Sequence, residues 1–230
     1  MTARTYRLLL PVLLLVSALG MGCSMLSLPF FLFGPEPKFD PEIKKLASED
    51  KDRKVRVLIL TCGGLETRPE LSGVDRELAR KLAHHLLEGC KANDEKVRVV
   101  PPTQVEQFKA ETPNWHSLDF KEDIGKNKFN ADYVIVLEIE AMSLYQTGSG
   151  NGLYRGKANI NVSVINVFDA DGGDPTPHSI SCEYPSEAKG ALTVDDMTVS
   201  QFREKFIDHC AKQLSWKFTA HPTSDAQSCE

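Results

Sequence analysis

Apolar positions along this chain fall into two alternating rhythms, one of strands and one of helices. The run "VRVLILT", Val55 to Thr61, is β-branched, apolar and of strand length, too apolar for an exposed edge. Val74, Leu78, Leu82, Leu86 and Cys90 then recur four apart, flanked by Ala79, Ala83 and Leu87, and draw one stripe on a helix. Ser72 and Asp75 supply its capping and dipole signal. "KVRVV", Lys96 to Val100, is a second short strand. A further helix starts at Pro102, and "DFKEDIGKNKF" predicts a shorter one.

From Ala131 to Gln146 the pattern alternates, with Ile135, Leu137 and Ile139 on one face of a long strand. "GSGNG", Gly148 to Gly152, is a hairpin loop by composition. The return strand puts Ala158, Ile160, Val162 and Val164 on one face, and its phase flips at Ile165, which predicts a bulge or a change of burial. "HSISCEYP" predicts a third antiparallel strand. A closing helix from Val199 to Phe218 carries Phe202, Phe206, Cys210 and Leu214 on one stripe.

Strand, helix, strand at the start implies a right-handed βαβ crossover with parallel strands. The chain is thus expected to form a single α/β domain over residues 54–219. Its mixed sheet of about five strands has a βαβ start and an antiparallel meander later, packed by helices. A domain of roughly 165 residues buries about 70% of the surface of its unfolded chain, enough to fold without metal or disulfide. The charged stretch before Lys54 reads as a tether over 23–53, with a short helix from Pro41 to Glu49, and residues 220–230 as a disordered tail.

The N-terminus changes the picture. Arg4 and Arg7 precede an apolar block from Leu8 to Leu19 that ends in Gly20 and Gly22, the layout of a signal peptide over 1–22. Leu8 to Leu28 also covers the roughly 20 apolar residues that a spanning helix needs. Gly22-Cys23 resembles the lipobox of bacterial lipoproteins, in which the Cys is diacylated and becomes the new N-terminus. Gly20 and Met21 depart from that family's preferred residues. Lipidation at Cys23 is the favoured reading, with a retained helix and plain cleavage left open. Under either anchored reading the two arginines keep the N-terminus inside and send the rest across the membrane.

Net charge is −5, and loss of Arg4 and Arg7 with a leader makes it two units more negative. An acidic exported chain is not built to bind nucleic acid. Beyond Cys23 the cysteines are Cys62, Cys90, Cys182, Cys210 and Cys229, with no CxxC pair, which argues against a zinc cluster or a thioredoxin-type site. Disulfides are open in an oxidising compartment; for Cys90 and Cys210, on apolar helix faces, a buried hydrophobe is an equal reading.

The element order, with Ala131-Asp132-Tyr133 opening one strand and Val167-Phe168-Asp169 with Gly172 closing the next, resembles the periplasmic α/β domain shared by the TolB N-terminal domain, CsgG and related envelope lipoproteins. The resemblance implies a scaffold or assembly component with no catalytic residues to carry over. The chain lacks the further alternating segments of about 10 residues expected of membrane-spanning hairpins, which argues against a pore of its own.

Candidate chemistry is thin. "TCGGLETRPE" sits where phosphate loops sit but lacks the Gly-Lys-[Ser/Thr] end, and reads as a strand-to-helix turn. His84 and His85 point roughly 100° apart on a helix, and His209 beside Cys210 shares the problem. "DADGGD", Asp169 to Asp174, has Gly173 and Ile180 where a calcium loop needs ligands. Glu138 and Glu140 share an outer strand face. Trp115, Leu118 and Phe120 lie in a loop region and are expected to pack onto the core; left exposed, they are the first choice for a partner surface.

No cofactor or metal is therefore expected. The expected function is a non-enzymatic, membrane-anchored lipoprotein on the periplasmic side of the cell envelope. It would act through a protein partner or self-association. The alternative is a periplasmic hydrolase or small-ligand binder using the loop from Cys62 to Arg68.

Overall fold

The computed structural model describes residues 37–48, 53–63, 68–169 and 175–224. The chain divides into Met1–Pro37 and Lys38–Glu230, and among the described residues every helix and strand belongs to the second unit. The signal peptide, Cys23 and Leu8–Leu28 lie outside the described residues. Among those described, no helix is long and apolar enough to cross a membrane.

The elements run β1 (Lys38–Phe39), β2 (Val55–Cys62), α1 (Val74–Ala92), β3 (Val97–Val99), α2 (Pro102–Glu111), a π-helix (Phe120–Lys128), β4 (Tyr133–Tyr145), β5 (Leu153–Asn166), β6 (His178–Tyr184), β7 (Leu192–Thr193), α3 (Val199–Trp216) and β8 (His221–Pro222). The main sheet has the order β3-β2-β4-β5-β6, with β7 paired to the start of β5. β2 is parallel to β3 and to β4, and the β4-β5-β6 meander is antiparallel. This is the expected mixed α/β sheet.

Alternation along the strands fills two separate cores. Val57, Ile59, Ile135, Leu137, Ile160 and Val162 join the stripes of α1 and α3 in the larger core. Leu58, Leu60, Val134 and Val136, one residue out of phase, meet Val105, Phe108 and Ile124 from α2 and the π-helix in the smaller one. Both faces of β2 and β4 are therefore covered, which is why their sequences are almost continuously apolar. β5 passes Gly156 beneath α3, where a Cβ would lie 2.6 Å from the Phe206 ring.

The flip at Ile165 is a change of burial. Pairing with β4 runs unbroken from Val162 to Asn166, and Ile165 packs on the smaller core beside buried Val167. The register shifts lie further along the β4–β5 pair, with an extra residue in β4 between Ile139 and Ala141 and one in β5 between Tyr154 and Lys157. The first makes Glu140 an extra residue, so Met142 and Leu144 return to the face of Ile139 in the larger core.

Several local expectations change. Ser72 does not cap α1: the N-cap is Gly73, in the left-handed region at φ 71°, with no side-chain cap, although Asp75 and Glu77 do occupy the first turn. "DFKEDIGKNK" forms a π-helix, opened by the Asp119 carboxylate, which accepts from the backbone N–H groups of Lys121 and Glu122.

Pro41 to Ser48 forms no helix. It packs as an extended strap: Leu46 is fully buried in the larger core, Ile43 and Lys44 donate backbone N–H groups to the Lys217 carbonyl, and β1 pairs with β8. Lys38–Ser48, expected in the tether, and His221–Pro222, expected in the tail, are thus built onto the domain.

Candidate functional site

β2 ends at Cys62 with Gly63 following, and a hollow of about 420 Å³ opens there, bounded by Gly63, the turn Leu71–Gly73, Asp75 and Arg76 of α1, Glu106 of α2 and Ile139. Gly64 to Thr67 lie outside the described residues. This is the position at which an open α/β sheet binds ligands, beyond the carboxyl ends of its parallel strands.

The reactive groups near this hollow are muted. Burial pushes the Cys62 thiol up, against the opposing pull of Lys109. The Lys109 ammonium is itself engaged, 3.0 Å from the Thr61 carbonyl and 3.1 Å from its hydroxyl, 3.2 Å from Glu106, and over the Trp115 ring at 4.9 Å. A thiol so disposed is a poor nucleophile at neutral pH. Arg76 reaches Glu106 at 4.0 Å, leaving a polar hollow of paired charges.

A larger groove, about 690 Å³, opens on the far side of the Trp115 loop. One wall is His116, Leu118, Asp119, Phe120 and Lys121; the other is Val164, Ile165, Asn166, Asp169 and Pro175. Trp115 stacks on Phe120 at 6.1 Å and so braces that wall, and Lys121 donates to the Asp169 carbonyl across the mouth at 2.6 Å. Backbone N–H groups of Glu122 and Lys121 hold the Asp119 carboxyl below its usual range, so it stays charged at the rim.

Beyond Val162 the β5 wall has no second paired strand among the described residues, and the chain leading into β6 lines the groove at Pro175. β6 pairs with β5 only from Gly156 to Val162, so among the described residues Ser163–Asn166 has a strand on the β4 side alone. Half-buried Ile165 turns toward the smaller core on the groove side, while Val164 packs against the larger core on the other face. An extended segment laid there would find main-chain partners and an apolar trough together.

The other sequence candidates disperse. His84 pairs with Glu88 at 3.4 Å, while His85 turns to Asp208 of α3 at 3.2 Å, joined there by Lys81 at 3.1 Å. His209 packs against Tyr184 at 5.2 Å. Glu138 and Glu140 are exposed, and Glu140 accepts a hydrogen bond from Asn161 at 2.7 Å. Among the described residues no group of three or more His, Cys, Asp and Glu is placed to hold a metal. Asp171 to Asp174 lie outside the described residues.

The Ala-Asp-Tyr signature proves structural. Ala131 is fully buried, and Asp132 accepts from the Arg56 N–H at 2.7 Å and pairs with Arg53, clamping the entry of β2 to that of β4. Its carbonyl takes the Val167 N–H at 3.0 Å, so the two signature segments are bonded to each other. Trp115, Leu118 and Phe120 are partly buried against the smaller core, the packing expected of them, and Leu118 and Phe120 also line the groove. Sequence reasoning missed the opposite wall, whose one signal was the burial flip at Ile165.

No protein-family model matches the chain, and no curated protein does. Solved structures of bacterial proteins are similar to it. The PelC dodecamer from Paraburkholderia phytofirmans is 13% identical, covering 80% of this chain and 97% of that one, at a TM-score of 0.39. Lipoprotein GNA1162 from Neisseria meningitidis is 12% identical over 70% of this chain and 98% of that one, at 0.40. A minor lipoprotein from Acinetobacter baumannii is 12% identical over 74% and 98%, at 0.31. The likeness of this α/β domain to them is distant, and no residue role, ligand or assembly passes from them to it.

Proposed function

We propose that this chain is an exported, membrane-anchored, non-enzymatic component of the bacterial cell envelope that works by holding a protein partner in the groove between the Trp115 loop and β5. The observation that carries this reading is the stretch Ser163–Asn166, which among the described residues no strand pairs on its β6 side, beside the apolar trough of Leu118, Phe120 and Ile165. Main-chain pairing gives an added strand affinity, and the trough selects its side chains. Acyl chains on Cys23 would hold the domain at a membrane. The residues between Cys23 and Lys38 would then give it at most about 50 Å of reach when extended.

The test is a photo-crosslinking residue at position 165 and, as a control, at exposed Leu87, each in the full-length protein in its native membrane. Adducts with a protein at 165 and none at 87 are expected. No adduct at 165, or equal adducts at both, would refute the groove as the working surface. The second reading, a periplasmic small-ligand binder or hydrolase at Cys62 to Arg68, is favoured by the polar hollow at the strand ends. The raised Cys62 thiol weighs against the hydrolase form.

A further inference from the structure

Cys182 and Cys210 meet inside the larger core. Cys182 is on the inward face of β6 and Cys210 is on the apolar stripe of α3, four residues beyond Phe206; both are completely buried. Both are free thiols, on packed elements of one core and near enough to each other for a hydrogen bond between them. The other described thiols have no such neighbour. Cys90 donates to the Glu95 carboxylate, and Cys62 stands half-buried beside Lys109 and Glu138.

We propose that Cys182 and Cys210 are joined as a disulfide that ties the edge strand β6 to α3. The pairing is a property of this fold and holds whichever functional reading is right; export decides only whether an oxidant meets it. Before the core closes over it, Cys182 gives up its proton to water and becomes the attacking sulfur. It attacks one sulfur of a small disulfide such as oxidised glutathione, forming a mixed disulfide and expelling one glutathione thiolate. Cys210 then gives up its proton to water and attacks the Cys182 sulfur, expelling the second glutathione. The two protein thiols are oxidised and the glutathione disulfide is reduced to two thiols.

Burial sets the timing. In the folded domain neither sulfur is open to a bulky oxidant, so the bond forms while the chain folds, or when β6, held by a strand on one side only, opens.

The test uses the full chain in detergent, unfolded and reduced, then refolded in a glutathione redox buffer. It is next unfolded in an alkylating agent and mapped by mass spectrometry. The expected result is a Cys182–Cys210 linked peptide about 2 Da below the sum of its parts, with Cys62 and Cys90 alkylated. The oxidised protein should also melt roughly 5–10 °C above its reduced form, since the bond closes a loop of about 30 residues. A Cys182→Ala, Cys210→Ala variant should show no response to reductant. Alkylation of both Cys182 and Cys210, or pairing of either with a different cysteine, overturns the assignment. The mapping is made on the unaltered sequence and does not depend on the variant's folding.

Discussion

Leu46 lies in "KKLASEDKDRK", a stretch whose charge reads as solvated linker, yet its side chain is 0% exposed among the residues of the larger core. Leu46→Ala removes three buried carbons, a transfer loss of about 2.4 kcal/mol at roughly 0.8 kcal/mol each. A residual cavity raises the total to about 2–5 kcal/mol, a large share of the ~5–15 kcal/mol that holds a domain folded. At about 2–4 °C per kcal/mol for a domain of this size, the melting temperature should fall by roughly 5–15 °C. Urea denaturation of the full chain should show the lower midpoint with an unchanged slope, because the surface exposed on unfolding hardly changes. Exposed Asp40→Ala serves as the control and should stay within about 0.5 kcal/mol. If Leu46→Ala melts with the unaltered chain, the strap does not dock and the reasoning fails. A chain cut to begin at Lys54 should lose at least as much, since it also forfeits Ile43, β1 and the Lys45–Glu95 pair at 3.5 Å.

Gly156→Ala should destabilise by about 1–3 kcal/mol in the same denaturation assay, because the new methyl would meet the Phe206 ring at 2.6 Å; an unchanged midpoint would mean that α3 can lift at no cost. His209 is kept neutral by burial, with Lys189 adding to the effect, so its folded-state pKa lies below 6.5. The unfolded chain therefore takes up a proton first as pH falls. Stability is complete above about 6.5 and is lost from there down through the folded-state pKa. His209→Gln should flatten denaturation midpoints between pH 8 and pH 5, and a slope equal to that of the unaltered chain would rule out His209 as its source. Cys23→Ala should abolish metabolic labelling by palmitate and leave an unprocessed precursor, whereas unchanged labelling and size would sink the lipoprotein reading.

Long periodic segments were legible because one period runs through many residues. The stripe from Val74 to Cys90 and the alternation from Ile135 to Ile139 each specify an element and its buried face. What escaped depends on single residues or on distant partners. Leu46 is one apolar side chain with no period around it. The extra residue at Glu140 shifts the phase so that Ile139 and Met142 share a face, which strict alternation forbids. The π-helix is wound tightly against the sheet, with a Cβ on Gly125 only 2.8 Å from Val134, a constraint no local propensity records. The candidate groove was half legible: the Trp115 loop stands out by its aromatics, but its other wall exists only because β6 stops pairing at Val162.

The clasp of β1 with β8 also has a mechanical meaning. In its register Lys38 faces Pro222 and Phe39 faces His221, so the chain leaves both strands at the same end. A load between a membrane anchor before Lys38 and anything held at the C-terminus would peel these pairs one after another, not shear them together. The clasp yields first, the strap around Leu46 bears force next, and the main sheet is spared until both have given way. Tension along the chain would thus be absorbed at the domain's margin, leaving the groove at β5 undistorted.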